Sequence, residues 1–160
     1  MTVDSLPGTR APVSPARLAQ IALRTAGNTG QWLSAVQYDM GRRWYLRLTQ
    51  DDEHEIWLLT WLPGQETGFH DHGPSSGAFA VASGCLRERT APGGRPQPFG
   101  RAVAQGAVRS FGPRYVHDVR NQSEHPAVSI HVYSPPLSSM RRFEVAAGGR
   151  LVVTGEDRAW

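Results

Sequence analysis

The 160-residue chain sets 17 basic against 14 acidic side chains, a net charge of +3, and its 39% hydrophobic content with 17 Gly and 12 Pro describes one turn-rich, mostly β domain. No run approaches the roughly 18 apolar residues of a membrane helix, and the N-terminus lacks the apolar core of a signal peptide, so a cytoplasmic protein without a membrane partner is expected. The lone cysteine, Cys85, excludes an internal disulfide, and the basic residues, all arginine, are too scattered for a nucleic-acid footprint.

Residues 1–13, rich in Pro, Gly, Thr and Ser, are expected to form a disordered leader. Ser14-Pro15 then offers an N-cap with proline at the first helical position. Leu18, Ile21 and Ala22 follow at helical spacing, and Gly27-Asn28 ends the helix near Ala26. A further helical turn is expected around Trp32 to Val36, so that an N-terminal helical segment occupies 14–36.

From residue 43 the period changes to that of short strands. Trp44, Leu46 and Leu48 alternate with Arg43, Tyr45 and Arg47. The run Ile56 to Leu62 is apolar on both faces and reads as a central strand. Further strands are expected around 69–72, 78–82, 86–90, 108–111, 116–119, 128–133 and 151–154, with turns at Gly93-Gly94 and Gly148-Gly149. About nine or ten short strands behind one helix argue for an all-β jelly roll whose barrel spans 43–160, the whole chain forming a single domain. Such a barrel has room inside for one ligand.

Three strand segments carry polar pairs at i and i+2, which place both side chains on one face. His70 and His72 are one such pair, Tyr45 and Arg47 a second, and Ser129, His131 and Tyr133 a third, alternating with Val128, Ile130 and Val132. A third histidine, His117, follows the turn Gly112-Pro113. If these faces all point inward, the cavity combines a metal held by His70, His72 and His117, a fixed cation and a phenol, an outline suited to a small anion. Three imidazoles without a carboxylate leave several positions of a divalent ion open. His54 and His125 fall in turn sequences and are assigned to the surface.

These residues carry a family resemblance. Gly64-x5-His70-x-His72-x4-Gly77-x6-Gly84 resembles the first cupin motif, with Gly77 where many cupins have a metal-binding glutamate, and His117-x3-Asn121 resembles the end of the second. Within the cupins the chain is similar to cysteine dioxygenases of the bacterial kind over about residues 32–143. The matching parts are Tyr45-x-Arg47, Leu59-x-Trp61, His70-x-His72, His117 and Ser129-x-His131-x-Tyr133-Ser-Pro-Pro136.

That resemblance implies a cupin that binds ferrous iron through His70, His72 and His117 and oxidises cysteine with dioxygen to cysteine sulfinic acid. It implies further that Arg47 holds the substrate carboxylate with support from Tyr45, that Leu59 and Trp61 line the pocket, and that Ser129, His131 and Tyr133 form a hydrogen-bonded relay. A cis peptide is implied at Ser134-Pro135. Animal members carry a tyrosine-crosslinked cysteine where this chain has Gly77, so no such crosslink can form, and Cys85 is eight residues too far on to replace it. A monomer is expected. Three alternatives stay open: a dioxygenase for another thiol such as 3-mercaptopropionate, a non-catalytic cupin that binds a metal or small anion, and a sugar-phosphate isomerase, against which the missing glutamate counts. Relatives acting on 3-mercaptopropionate have glutamine at the position of Arg47.

Overall fold

A computed structural model describes residues 11–160. Most of the leader expected over 1–13 lies outside the described residues. Its last residue, Val13, is held in place, donating its backbone N–H to Ser134 Oγ at 2.9 Å. Helix α1 spans Pro15–Gly27, with Ser14 as N-cap, Pro15 at its start and Asn28 as C-cap. Two 3-10 turns, Thr29–Gln31 and Leu33–Ala35, follow where one helical turn was expected.

Eleven strands follow among the described residues, with a third 3-10 turn at Pro92–Gly94: β1 (Trp44–Gln50), β2 (Glu55–Trp61), β3 (Phe69–His70), β4 (Ser76–Ser83), β5 (Cys85–Thr90), β6 (Arg101–Ala104), β7 (Val108–Phe111), β8 (His117–Arg120), β9 (Ala127–Ser134), β10 (Met140–Val145) and β11 (Leu151–Asp157). They form two antiparallel sheets, one ordered β1-β2-β9-β4-β7 and the other β11-β10-β3-β8-β5-β6. Consecutive strands repeatedly change sheet, as in a jelly roll. The expected strand over 69–72 shortens to two residues, and β6 and β10 add to the expected set.

Alternation along β9 shows how the layers are built. Val128, Ile130 and Val132 pack with Ile56, Leu58, Ala78 and Ala80 against Leu18, Ala22 and Trp32 of the helical segment. The helix therefore covers the outer face of the five-stranded sheet, which is why β2 and β9 are buried along their whole length. On the inner face, Trp57, Leu59, Trp61, Phe79 and Val81 meet Leu86, Val103 and Val119 of the other sheet. At roughly 25 cal/mol per Å² of apolar surface, burial on both faces makes this sheet the mechanical base of the fold. The open end of the sandwich is left for a cavity. The Ser134–Pro135 peptide is cis.

Candidate metal centre and its cavity

His70 on β3 and His117 at the start of β8 are register partners across the six-stranded sheet. His72 follows just beyond β3, and its ring centroid lies 4.8 Å from that of His70 and 5.2 Å from that of His117. One nitrogen from each of the three falls within 4.8 Å of the others, and all three residues are buried.

Hydrogen bonding fixes what each imidazole can offer. His70 Nδ1 lies 2.9 Å from the Gly68 carbonyl, which only accepts, so Nδ1 carries the proton and Nε2 keeps a free lone pair. His117 Nδ1 lies 2.9 Å from Glu88 Oε1, and an ionised carboxylate likewise only accepts, so His117 is left with a free Nε2. His72 has no hydrogen-bond partner at either ring nitrogen although it is almost fully buried. An imidazole closed off without a partner is costly unless something else takes its lone pair. Burial, followed by the neighbouring histidines, holds His72 well below its ordinary pKa, and burial does the same to His70. Neutral rings with free nitrogens and no carboxylate are a donor set that fits a divalent first-row metal.

Behind His117 stands a residue that sequence reasoning passed over. Glu88 on β5 is buried, accepting from His117 and from Arg109 Nε at 2.7 Å, with the Tyr115 hydroxyl donating at 3.3 Å. Burial pushes its carboxyl up, but the His117 and Arg109 donors outweigh that and hold it below the usual range. A carboxylate on the far nitrogen of a ligating histidine sets tautomer and ring orientation. A glutamate alternating with inward Leu86 was the available sign.

The other sheet supplies the opposite wall. Trp61 Nε1 donates to Ser129 Oγ at 2.8 Å, Ser129 Oγ lies 2.9 Å from His131 Nε2, and His131 Nδ1 lies 3.2 Å from the Tyr133 hydroxyl. These contacts have one consistent direction. Indole only donates, so the serine proton goes to His131 Nε2; Nδ1–H then donates to the tyrosine oxygen. The phenolic proton of Tyr133 is left free for the cavity. Burial pushes the Tyr133 phenol up and lowers His131 well below its ordinary value, so both are uncharged at neutral pH.

A cavity of about 290 Å³ connects the two walls. Tyr45, Leu59, His70, His72, His117, His131 and Tyr133, all anticipated from the sequence, line it. Trp61 and Ser129 do not: both stand behind His131 and act on the cavity through it. The largest departure concerns Arg47, which is not among the lining residues. Its guanidinium lies 3.6 Å from Glu55 and over the Trp57 ring at 5.4 Å. Glu55 is a buried carboxylate, so its demand for a cation turns Arg47 away from the cavity. Arg43 and Arg142 are the lining arginines instead, joined by Trp57, Met140 and Trp160.

Gly77 sits across from both Tyr133 and Phe111 in the sheet register. A Cβ there would lie 2.6 Å from the Phe111 ring and 2.9 Å from that of Tyr133. Cys85 belongs to the other sheet, its thiol turned to the Leu86 carbonyl.

Comparison with known proteins agrees with this architecture. Residues 10–146 match the family described as cysteine dioxygenase type I. Cysteine dioxygenase type 1 of Danio rerio is 29% identical over 76% of this chain and 65% of that protein, so the match spans a little under two thirds of the relative. The Rattus norvegicus protein of the same name is 26% identical over 79% of this chain and 68% of its own. Among solved structures, a protein from Thermus thermophilus has a TM-score of 0.57 at 22% identity, covering 65% of this chain and 93% of that one. A cupin from Desulfovibrio desulfuricans has a TM-score of 0.56 at 21% identity, covering 66% and 93%. These likenesses establish an all-β cupin fold.

Proposed function

The chain belongs to the cysteine dioxygenase type I family, and on that premise we propose that it is a non-haem iron thiol dioxygenase that converts cysteine and dioxygen to cysteine sulfinic acid. The observation that carries this reading is the convergence of three buried imidazoles, each with a nitrogen free of hydrogen-bond partners, beneath a cavity whose far wall presents a phenol.

His70, His72 and His117 would hold the iron, and with no carboxylate among them they would leave it free to take reactants. When bound, ferrous iron supplies open coordination positions and the redox activity that lets dioxygen react with a thiolate. The protein's own residues do the positioning. Glu88 keeps His117 turned to the centre. Tyr133 remains protonated and donates its one free hydrogen toward sulfur or oxygen, fixed by the His131, Ser129 and Trp61 series behind it. Leu59 narrows the cavity to a small substrate and excludes water from the reacting atoms. The balance is complete within the two substrates: both oxygen atoms join sulfur, and the electrons sulfur loses are those dioxygen gains.

A second reading has one observation in its favour. Asp157 is the only acid among the described lining residues, and it is bonded to Arg142 at 2.7 Å. The walls thus offer no uncommitted carboxylate to a substrate ammonium, and a thiol acid without an amine, such as 3-mercaptopropionate, is the alternative. Oxygen uptake by iron-loaded protein over a panel of thiols tests both. Uptake that is greatest with cysteine supports the first reading, greatest with 3-mercaptopropionate the second, and no thiol-dependent uptake overturns both.

A further inference from the structure

We infer that the buried ion pair of Asp71 with Arg141 is the positioning device for His72, and that it holds this third histidine ready for the metal. The inference deepens the thiol-dioxygenase reading and rests on its metal centre, though not on the identity of the thiol.

The three histidines are not supported alike. His70 and His117 each have a ring nitrogen fixed by an acceptor, the Gly68 carbonyl and the Glu88 carboxylate. His72 has no such partner at either nitrogen. It also lies beyond the sheet, because β3 ends at His70, which pairs with His117 on one side and Arg142 on the other. Neither a ring hydrogen bond nor a strand ladder therefore aims the His72 ring.

Asp71 supplies what is missing. It is fully buried between the two histidines, and both of its oxygens are engaged. Oδ1 accepts from the Gly73 backbone N–H at 3.2 Å, closing an Asx turn whose middle residue is His72. The same oxygen accepts from the Arg141 backbone N–H at 3.2 Å, and the Asp71 N–H donates in return to the Arg141 carbonyl at 3.1 Å. Oδ2 takes Nε of Arg141 at 2.9 Å and its Nη2 as well. The chain is thus tied to β10 one residue beyond the point where the β3 ladder stops. The turn sets the backbone of His72. Phe111, stacked on the imidazole with centroids 5.2 Å and planes 21° apart, sets the plane of the ring.

Burial alone does not give a carboxylate this role, as Asp118 beside His117 shows. Asp118 is equally buried and is paired with Arg89 and Arg120, but only through Oδ2. Its Oδ1 has no hydrogen-bond partner, and among the described residues it receives no backbone N–H. Asp118 therefore joins two arginines without shaping the chain at His117, whose ring Glu88 already fixes. A ligand aimed in advance binds its metal at less cost in ordering. Without the Asp71 turn the centre would keep two firm ligands and one loose one.

The test compares the two carboxylates in metal binding, with no thiol or dioxygen present. Cobalt(II), whose absorption reports its coordination, is the probe. Its affinity is measured by competition with a chelator in wild type, Asp71→Asn, Arg141→Ala, Arg141→Lys and Asp118→Asn, and the urea midpoint of each metal-free protein is read alongside. Asp71→Asn and Arg141→Ala should lose about tenfold to a hundredfold in affinity and show an altered cobalt spectrum, as expected on removing a group that orients a ligand. Arg141→Lys, which keeps the charge, should recover part of both. Asp118→Asn should lower the urea midpoint yet leave affinity and spectrum as in wild type. Where Asp71→Asn or Arg141→Ala fails to fold, Arg141→Lys carries the comparison. Affinity and spectrum unchanged in the Asp71 and Arg141 variants, or altered to the same extent in Asp118→Asn, would overturn the inference, since the pair would then act on stability alone. A wild type that binds no cobalt would instead overturn the metal centre and the dioxygenase reading with it, so the two failures are distinct.

Discussion

Glu88 is the residue whose removal separates holding a metal from merely assembling three histidines. His70 is oriented by a backbone carbonyl that no side-chain change removes, whereas His117 depends on one carboxylate. Glu88→Gln keeps the shape and can still accept from Nδ1, but it removes the charge that makes His117 a stronger donor. It also leaves Arg109 and Tyr115 beside a neutral amide. Iron affinity, measured by competition with a chelator, should fall about tenfold to a hundredfold. An unchanged affinity would mean that Glu88 only completes the packing. The one sign of this role in the order of residues is faint, a glutamate two positions from Leu86 and so on the same strand face. The three histidines were legible because their types and spacing are unusual, while one glutamate in Arg-Glu-Arg reads as an exposed charge until β5 is known to turn it inward.

At the level of elements, β9 was the most readable part of the chain, since Val, Ile and Val on one face and Ser, His and Tyr on the other leave no second way to place it. β10 was missed because arginines interrupt both faces of Met-Arg-Arg-Phe-Glu-Val, and with it went Arg142 and Met140 of the cavity wall. β6, a four-residue edge strand, gave no pattern long enough to detect. Arg47 stands apart from the cavity lining for a related reason: alternation gives a face, but cross-strand register and the buried Glu55 decide which arginine on that face lines the cavity. Register also gives Gly77 its meaning. A methyl group there collides with Phe111 and Tyr133, so Gly77→Ala should destabilise the protein by about 1–3 kcal/mol in denaturant titration. Because Phe111 stacks on His72 with centroids 5.2 Å apart, the same change should weaken iron binding. A neutral substitution would show that this part of the sheet is looser than the contacts indicate.

The whole molecule is built around buried imidazoles, and its stability should report them. His70, His72 and His131 are held neutral chiefly by burial, well below the ordinary histidine pKa near 6.5. Above that pH neither the folded nor the unfolded chain protonates them, and they contribute no pH dependence. Below it the unfolded chain binds protons that the folded one refuses, so metal-free protein should lose stability as pH falls, by about 1.4 kcal/mol per pH unit for each proton excluded. Denaturant midpoints compared at pH 7.5 and 5.5 check this, and equal midpoints would mean that the rings are more hydrated than their burial indicates. Among the described residues no helix is long and apolar enough to cross a membrane. The two sheets and the helix over the outer face bring the three imidazoles and the Ser129, His131 and Tyr133 series to one cavity.

The central claim is that this centre joins dioxygen to a small thiol. The mass of the product formed from cysteine by iron-loaded protein under isotopically labelled dioxygen tests it most directly. The expected product is cysteine sulfinic acid carrying both label atoms, with none from water. Cystine as the sole product, or a sulfinic acid without the label, would contradict it.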